Sequence, residues 1–171
     1  MSEFIRTLNL IKAKRSATWL TDSQQAALAA LRNILRIPCA VNLYGASGVG
    51  KTFLGWHLAD EFRYAYFPHL DLFVKTEHMD APGVVVDNCR PDRQHHRETL
   101  KMLGFRGIHH SILISREPIR DYVHCVELGL TANDITRVRD NLMTIGISRD
   151  VQAPGHLWYL VNPGLMAFAD S

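Results

Sequence analysis

The sequence lacks the features that mark several specialised classes of protein. Its 171 residues include three cysteines, Cys39, Cys89 and Cys125, which lie far apart and form no C-x-x-C pair. An odd number of scattered cysteines argues against a disulfide framework and favours a reducing compartment such as the cytoplasm. Each cysteine lies in or beside an apolar run, so we expect all of them to be buried and inert.

Long apolar runs are also missing. No stretch approaches the ~20 consecutive apolar residues that span a membrane. The N-terminal residues lack the apolar core of a signal peptide, and the chain shows no internal repeat and no low-complexity linker. We therefore expect a cytoplasmic protein without a membrane partner.

The composition is that of an ordinary globular domain. Hydrophobic residues make up 47% of the chain and charged residues 21%, and the net charge is +2. Such a charge permits contact with nucleic acid but does not by itself indicate it. The length suits one domain with a substantial core. We predict N-terminal helices in residues 1–37, a nucleotide-binding core in 38–130, and a truncated lid helix followed by a strand in 131–171.

One stretch carries a complete phosphate-binding pattern. Residues 45–52 read GASGVGKT and match the P-loop pattern G-x-x-x-x-G-K-[ST] at every required position. The glycines let the backbone turn tightly and point its N–H groups at phosphate oxygens, the lysine reaches the terminal phosphates, and the threonine hydroxyl binds Mg²⁺. The predicted nucleotide contacts are Gly45, Ala46, Ser47, Gly48, Val49, Gly50, Lys51 and Thr52.

The residues on either side of this loop have the pattern that a P-loop requires. Residues 39–44 form a short, mostly apolar run, which predicts a strand. Residues 51–62 carry apolar side chains at helical spacing. A strand before the loop and a helix after it is the context in which this pattern binds phosphate, at the positive end of the helix dipole.

A second informative stretch reads GVVVDN at residues 83–88. Its β-branched run predicts a central parallel strand that is buried on both faces. Asp87 follows at the carboxyl end, where open α/β sheets bind ligands, and we predict that it holds Mg²⁺ with Thr52; the alternative is a simple turn residue. Asn88 comes next, and its amide can orient water but cannot accept a proton. This favours nucleotide binding over fast hydrolysis.

The run SILIS at residues 111–115 predicts a further buried strand. Ser115 and Arg116 stand at its carboxyl end, beside the expected position of the terminal phosphate. We predict that Ser115 contacts the nucleotide and that Arg116 senses the phosphate and stabilises transferring charge. The alternative for Arg116 is an ordinary exposed arginine.

A basic stripe follows the predicted Mg²⁺ residue. Arg93, Arg97 and Lys101 recur every four residues on a predicted helix, and Arg90 precedes them. A solvated helix face is one interpretation. The other is a surface for DNA phosphates, or an arginine offered to a neighbouring subunit of an oligomer.

The remaining pattern predicts mostly helices. A capping box at residues 21–24 opens one helix, and a second cap at Thr131 opens a helix whose apolar face would include Met143. A helix that starts at Pro91 should end at Gly104. Strands are predicted at 64–67, 70–74, 122–128 and 156–161. The pairs His95-His96 and His109-His110 are adjacent residues, which predicts no metal site.

Together these stretches resemble the AAA+ and STAND groups of P-loop ATPases over residues 16–145. GASGVGKT is similar to their phosphate loop, VVVDN to their Walker B strand, and ILISRE to the strand that ends in their sensor-1 residue. VHCVELGLTANDI is similar to their fifth strand and lid helix. The resemblance implies an α/β three-layer sandwich with a mostly parallel five-stranded sheet in the order 5-1-4-3-2. It also implies ATP and Mg²⁺ as cofactors, with Lys51, Asp87, Asn88 and Arg116 in the catalytic roles.

The chain departs from that pattern at defined points. Asn88 replaces the Walker B glutamate, and the sequence ends soon after one lid helix, so a full helical lid with a sensor-2 arginine is not expected. Arg137 or Arg139 could substitute for that arginine. A GTPase is disfavoured, because residues 87–90 lack the glycine of D-x-x-G and no N-K-x-D follows.

These observations leave several functions open. The first is a slow Mg²⁺-dependent ATPase that acts as a nucleotide switch with protein partners, in a DNA-associated or defence-related assembly. The second is a small-molecule kinase that uses the same loop. The third is an interaction protein that binds ATP without hydrolysing it.

Overall fold

The computed structural model of the chain describes residues 3–90, 93–119, 124–148 and 156–161. Its strands are β1 (Ala40–Tyr44), β2 (Ala65–Phe67), β3 (Gly83–Cys89), β4 (His110–Ser115) and β5 (His124–Glu127). Its α-helices are α1 (Glu3–Ala13), α2 (Asp22–Ile34), α3 (Lys51–Phe62), α4 (Leu70–Lys75), α5 (Arg93–Phe105), α6 (Ala132–Met143) and α7 (Trp158–Val161).

The strands form one five-stranded parallel sheet in the order β2-β3-β4-β1-β5. This confirms the predicted α/β fold class and the strand order that the resemblance implied. Strand β1 is an interior strand, since it pairs with β4 on one side and β5 on the other. The loop that follows β1 therefore lies at the carboxyl edge of the sheet, between the ends of β4 and β5, where such sheets bind ligands.

Helices cover both faces of the sheet. On one face, Leu31 of α2 and Leu58 of α3 belong to the same apolar core as Val85 of β3. On the other, α4 and α5 pack against Val84 and Val86. Strand β3 thus alternates its side chains between two cores and is buried on both faces, as its β-branched run predicted.

A third apolar cluster lies beside the carboxyl edge. It joins α1, α6 and α7 through Leu142, Leu157 and Leu160, with Phe4 and Ile11 packed against them. The two predicted capping boxes are both present, with Thr21 bonded reciprocally to Gln24 and Thr131 to Asp134. These caps fix where α2 and α6 begin.

The structure corrects the predicted strand at 70–74, which is helix α4. Leu70 and Phe73 are buried three positions apart, and a helix places both on the sheet-facing side. The predicted strand at 156–161 is also wrong, because residues 158–161 form helix α7. Leu157, Leu160 and Val161 are buried at helical spacing there. A short apolar run fits both kinds of element, and packing decides between them.

Smaller corrections concern single residues. Helix α5 continues past Gly104, and the left-handed Gly107, with φ 68°, follows its end. Met143 is 54% exposed and does not join the apolar face of α6. Cys89 is buried as expected, whereas Cys39 is half-buried and Cys125 is exposed. Pro91, Asp92 and residues 121–123, which belong to predicted elements, lie outside the described residues.

Within the described ranges, no helix is both long and apolar enough to cross a bilayer.

Candidate functional site

The loop between β1 and α3 has the backbone conformation that its glycines permit. Gly45, Gly48 and Gly50 have φ angles of 155°, 76° and 93°, which side-chain-bearing residues rarely adopt. A Cβ atom at Gly45 would collide with the carbonyl oxygen of Leu128, and one at Gly48 with the ring of His156. Sequence and structure therefore agree on a tight, glycine-dependent loop at the start of a helix.

Lys51 is buried and folds over this loop. Its Nζ donates hydrogen bonds to the carbonyl oxygens of Gly45, at 2.6 Å, and Ala46, at 2.7 Å. Burial lowers the pKa of the Lys51 ammonium; Asp87 opposes this effect, and the positive charge of Arg116 adds to it. A cation with two carbonyl partners and a nearby carboxylate is placed to bind an anion that enters the loop.

Thr52 and Asp87 lie together at the end of β3. The Thr52 hydroxyl donates to Asp87 Oδ2 at 2.7 Å, and the Tyr66 hydroxyl donates to the same oxygen at 2.8 Å. Asp87 is buried, and its other oxygen accepts the Asn88 backbone N–H at 2.7 Å. Burial, together with the Asp87 charge, raises the pKa of Tyr66, so its phenol stays protonated and donates.

The Thr52 hydroxyl and the Asp87 carboxylate are chemically suited to bind Mg²⁺. Mg²⁺ takes hydroxyl and carboxylate oxygens, usually with one or two protein ligands and the rest from water and phosphate. Thr52 and Asp87 supply such oxygens beside the loop. No group of three or more His, Cys, Asp or Glu side chains that could hold a metal by itself occurs among the residues described.

A cavity of about 480 Å³ opens above the loop. Its polar end is formed by loop residues, Lys51, Thr52 and Asp87, with Ser115 and Arg116 from the end of β4. Its apolar end lies between α1, α3, α6 and α7 and includes Leu8, Phe53, Val138, Leu142 and Val161. The cavity therefore combines polar side chains of the loop and strand ends with apolar side chains of the surrounding helices, as ligand pockets commonly do.

All three tryptophans of the chain line this cavity: Trp19, Trp56 and Trp158. Trp19 follows α1, Trp56 is on α3, and Trp158 begins α7. Since these side chains line the cavity, tryptophan fluorescence is a suitable probe of ligand binding there.

At the end of β4, Arg116 faces the cavity whereas the Ser115 hydroxyl is bonded within the protein. Arg116 is exposed and lines the cavity, and its charge acts on both Lys51 and His156. Ser115 is buried, and its hydroxyl donates to the Glu117 carbonyl at 2.6 Å while it accepts from Asn42 Nδ2 at 2.9 Å. Arg116 thus presents its charge to the cavity, whereas the Ser115 hydroxyl is already bonded within the protein.

Asn88 lines the cavity but has a partner elsewhere. Its backbone is left-handed, with φ 53°, and its side-chain amide donates to the carbonyl of Pro68 at 3.0 Å. That bond directs the amide nitrogen toward the loop after β2.

The segment 156–161 covers the phosphate loop from the other side. The Leu157 N–H donates to the Gly48 carbonyl at 2.9 Å, and a ring nitrogen of His156 lies 3.2 Å from the Ser47 hydroxyl. The His156 ring also stacks on Tyr159. Burial lowers the pKa of His156, and the charges of Lys51 and Arg116 lower it further.

The other predicted cations are distributed over different surfaces. Arg90 lines the cavity, while Arg97 and Lys101 are exposed on α5. The side chain of Arg93 lies outside the described residues. Neither Arg137 nor Arg139 lines the cavity, and Arg137 donates instead to the carbonyl of Thr18 at 2.9 Å.

Sequence reasoning did not find Asn42, Tyr66 or His156. Asn42 is a polar residue within an apolar strand, and this contrast was the one available signal. Tyr66 and His156 reach the site through folding contacts with residues 21 and 109 positions away, and no local pattern marks them.

Comparisons with known proteins agree with this geometry at the level of the fold. No protein-family model matches the sequence, and no curated protein matches it. Solved structures do match. The replication initiator DnaA bound to AMPPCP and single-stranded DNA gives a TM-score of 0.58 at 11% identity, covering 88% of this chain and 62% of that one.

Two further structures give similar values. AMPPCP-bound DnaA from Aquifex aeolicus has a TM-score of 0.55 at 11% identity, with 88% of this chain and 62% of that chain covered. The RuvB Holliday junction branch migration motor of Thermotoga maritima has a TM-score of 0.56 at 13% identity, with 88% and 63% covered. The chain has the fold of AAA+ P-loop ATPases. It spans less than two thirds of the length of these neighbours.

Proposed function

We propose that this protein binds ATP with Mg²⁺ and acts as a nucleotide switch with slow intrinsic hydrolysis. The observation that supports this most directly is the arrangement of Lys51, Thr52 and Asp87 around one glycine loop. Lys51 folds over the loop carbonyls, and Thr52 and Asp87 share a hydrogen bond of 2.7 Å beside it. The P-loop pattern assigns phosphate binding to such a lysine and Mg²⁺ binding to such a threonine, and an acidic residue on a neighbouring strand supports the proposed Mg²⁺ site.

Different residues of the cavity would bind the phosphates and the base of the nucleotide. Backbone N–H groups of residues 45–52 and the start of α3 would bind the phosphates. Thr52 and Asp87 would hold Mg²⁺, which neutralises charge on the phosphate oxygens when it is bound. The base would enter the apolar end, where Trp19 and Trp158 offer aromatic surface.

The same cavity explains how binding would be sensed. Its walls come from α1, α6 and α7 as well as from the sheet. A nucleotide that contacts all of them favours one arrangement of these helices over others, and a ligand shifts an equilibrium only through such differential contacts. That arrangement would set the affinity for a protein partner in the cytoplasm.

A DNA-associated role for the switch draws on the neighbours. One DnaA structure holds single-stranded DNA, and RuvB is a Holliday junction branch migration motor. In this chain Arg97 and Lys101 are exposed on α5, and with Arg90 and Arg93 they would offer positive charge to a phosphate backbone. The setting we propose is therefore an oligomeric or multi-protein assembly that acts on DNA.

A second candidate is an ATP-binding protein that does not hydrolyse. One observation favours it: the Asn88 amide is bonded to the Pro68 carbonyl, and no carboxylate follows Asp87. Phosphate release separates the two candidates.

The experiment measures phosphate release from MgATP by the purified protein, with and without double-stranded DNA. Lys51→Ala should abolish the release, whereas Lys75→Ala, on the exposed end of α4, should not. Turnover that DNA increases would support the DNA-associated switch. Tight MgATP binding without turnover under either condition would favour the second candidate, and equal release by wild type and Lys51→Ala would contradict the proposal.

A further inference from the structure

Hydrolysis at this site is accelerated by a group that accepts a proton from the attacking water, and the residue after Asp87 is not such a group. Asn88 is an amide, which cannot act as a base. Its side-chain nitrogen is also bonded to the Pro68 carbonyl at 3.0 Å. A base for this proposed reaction must therefore come from another part of the cavity wall.

Two carboxylates line the cavity within the described residues, Asp87 and Glu117. Asp87 already accepts three hydrogen bonds, from Thr52, Tyr66 and the Asn88 backbone N–H. Its oxygens are the proposed Mg²⁺ ligand and are not placed to take a proton. Glu117 is exposed, and its carboxylate makes no hydrogen bond or ion pair with any residue that the structure describes.

The buried side-chain amide of Asn42 fixes the turn that carries Glu117. Asn42, fully buried in the interior strand β1, donates from Nδ2 to the Leu113 carbonyl and to Ser115 Oγ, each at 2.9 Å. Its Oδ1 accepts the Ile119 N–H at 2.9 Å. Both ends of the turn 115–119 are therefore tied to the strand that leads into the phosphate loop.

Within this turn a further bond shapes the backbone. Ser115 Oγ donates to the carbonyl oxygen of Glu117 at 2.6 Å. Ile119, at the end of the turn, is 1% exposed and anchored in the core. The bonds of Asn42 and Ser115 thus hold Arg116 and Glu117 together at the cavity, beside the ends of β1 and β3.

We infer that Glu117 is the general base of ATP hydrolysis in this protein and that Asn42 is the residue that positions it. In this step a Glu117 oxygen accepts a proton from water while the water oxygen forms a bond to the γ-phosphorus. The bond from that phosphorus to the bridging oxygen breaks, and its electron pair stays on ADP. Arg116, one position earlier, faces the charge that develops on the phosphate.

This inference rests on the proposed function, and its test separates the two. MgATP binding is measured by calorimetry, and hydrolysis is measured in single turnover with radiolabelled ATP and excess protein. Glu117→Gln should slow hydrolysis by about 100-fold or more, the usual effect of losing a general base. Its Kd for MgATP should stay within about twofold of wild type, since the phosphate loop is unchanged. Glu77→Gln, an exposed carboxylate outside the cavity, is the matched control and should hydrolyse ATP like wild type.

A second carboxylate can be used to distinguish a catalytic from a structural role of Glu117, because only loss of a catalytic base should be rescued by it. Asn88→Glu in the Glu117→Gln background returns a carboxylate to the cavity wall and should restore part of the lost rate. Asn42→Ala should slow hydrolysis and leave Kd unchanged, and in the double variant with Glu117→Gln the two losses should not add. Thermal unfolding of Asn42→Ala shows whether the buried change has disturbed the fold, and the Glu117 variant tests the base independently.

Wild-type turnover by Glu117→Gln would overturn the inference. MgATP binding by wild type without any hydrolysis would also overturn it while leaving nucleotide binding intact. Failure of wild type to bind MgATP would contradict the proposed function itself.

Discussion

Thr52 Oγ1 donates a hydrogen bond of 2.7 Å to Asp87 Oδ2 and so joins the first turn of α3 to the end of β3. The bond brings the last residue of the phosphate loop next to an acidic residue near the carboxyl end of a buried strand. Tyr66 donates to the same oxygen at 2.8 Å and fixes the carboxylate from the β2 side. Two hydroxyls on one oxygen orient it before any ion arrives.

The first prediction concerns this carboxylate. Asp87→Asn should weaken ATP binding in the presence of Mg²⁺ and leave binding in EDTA almost unchanged, because the amide removes the anionic ligand but not the loop. Calorimetric titrations with and without Mg²⁺ measure both values. Tyr66→Phe keeps the carboxylate and serves as control, with a smaller loss of Mg²⁺-dependent affinity. If Asp87→Asn and wild type bound ATP equally well in the presence of Mg²⁺, the assignment of Asp87 as a Mg²⁺ ligand would be wrong.

The second prediction concerns pH and His156. The pKa of this imidazole lies below its ordinary value, so the ring is neutral near pH 7 in the absence of ligand. A bound triphosphate reverses the local field and raises the pKa, so binding takes up protons. MgATP affinity should therefore increase as the pH falls from about 8 to about 6, by up to ~10-fold for each unit by which the pKa rises.

The nucleotide itself titrates in this range, and the control removes its contribution. His156→Gln should retain binding near pH 8 and lose part of the increase at lower pH, so the difference between the proteins is the measured quantity. Calorimetry in buffers of different ionisation enthalpy counts the protons directly. Identical proton uptake by wild type and His156→Gln would show that the imidazole does not face the phosphates.

The third prediction concerns Asp134, which joins the N-termini of α2 and α6. Its carboxylate accepts from the backbone and hydroxyl of Ser23 and of Thr131. Burial acts to raise the pKa of Asp134, but these hydrogen bonds outweigh it and hold the pKa at about 2. A depressed pKa stabilises the folded state above the ordinary value, and this contribution is lost as the pH falls from about 4 towards 2.

The contribution amounts to about 2 kcal/mol of the free energy of unfolding. Asp134→Asn should be less stable than wild type by about that amount at pH 7, and the difference should disappear near pH 2. Urea unfolding at several pH values measures it. A difference that is independent of pH would mean that the ionised carboxylate contributes nothing.

The fourth prediction uses two glycines with opposite surroundings. Gly48 has φ 76° and faces the His156 ring, whereas Gly104 lies within α5, where a methyl group would meet no atom within 4 Å. Gly48→Ala should destabilise the protein by about 1–3 kcal/mol and weaken nucleotide binding. Gly104→Ala should stabilise it by about 0.5–1 kcal/mol, because alanine is the better helix residue. Urea unfolding of both variants checks the signs, and a stable Gly48→Ala would show that the segment 156–161 is not packed on the loop.

Much of the core was predictable because its signals are local. The phosphate loop depends on glycine positions, and β3 on an unbroken β-branched run that ends in Asp87. The strand order came from the resemblance to a known family, since no local signal specifies which strands pair.

The features that sequence reasoning missed depend on contacts between distant residues. Asn42 bonds to Leu113 and Ile119, more than 70 positions away, and within its own strand it is simply a polar exception. The run at 70–74 contains apolar residues at spacings that fit a strand or a helix. Packing of Leu70 and Phe73 onto β3 selects the helix, and this choice is made only when the sheet exists.

Fluorescence titration with MgATP tests nucleotide binding most directly, because all three tryptophans line the cavity. We expect a saturable change in the wild-type protein and in Lys75→Ala. In Lys51→Ala the midpoint should move to concentrations about 10-fold to 100-fold higher, the loss expected when a charged hydrogen-bond donor is removed. The same midpoint in Lys51→Ala and wild type, or no response in any of the proteins, would contradict ATP binding at this loop.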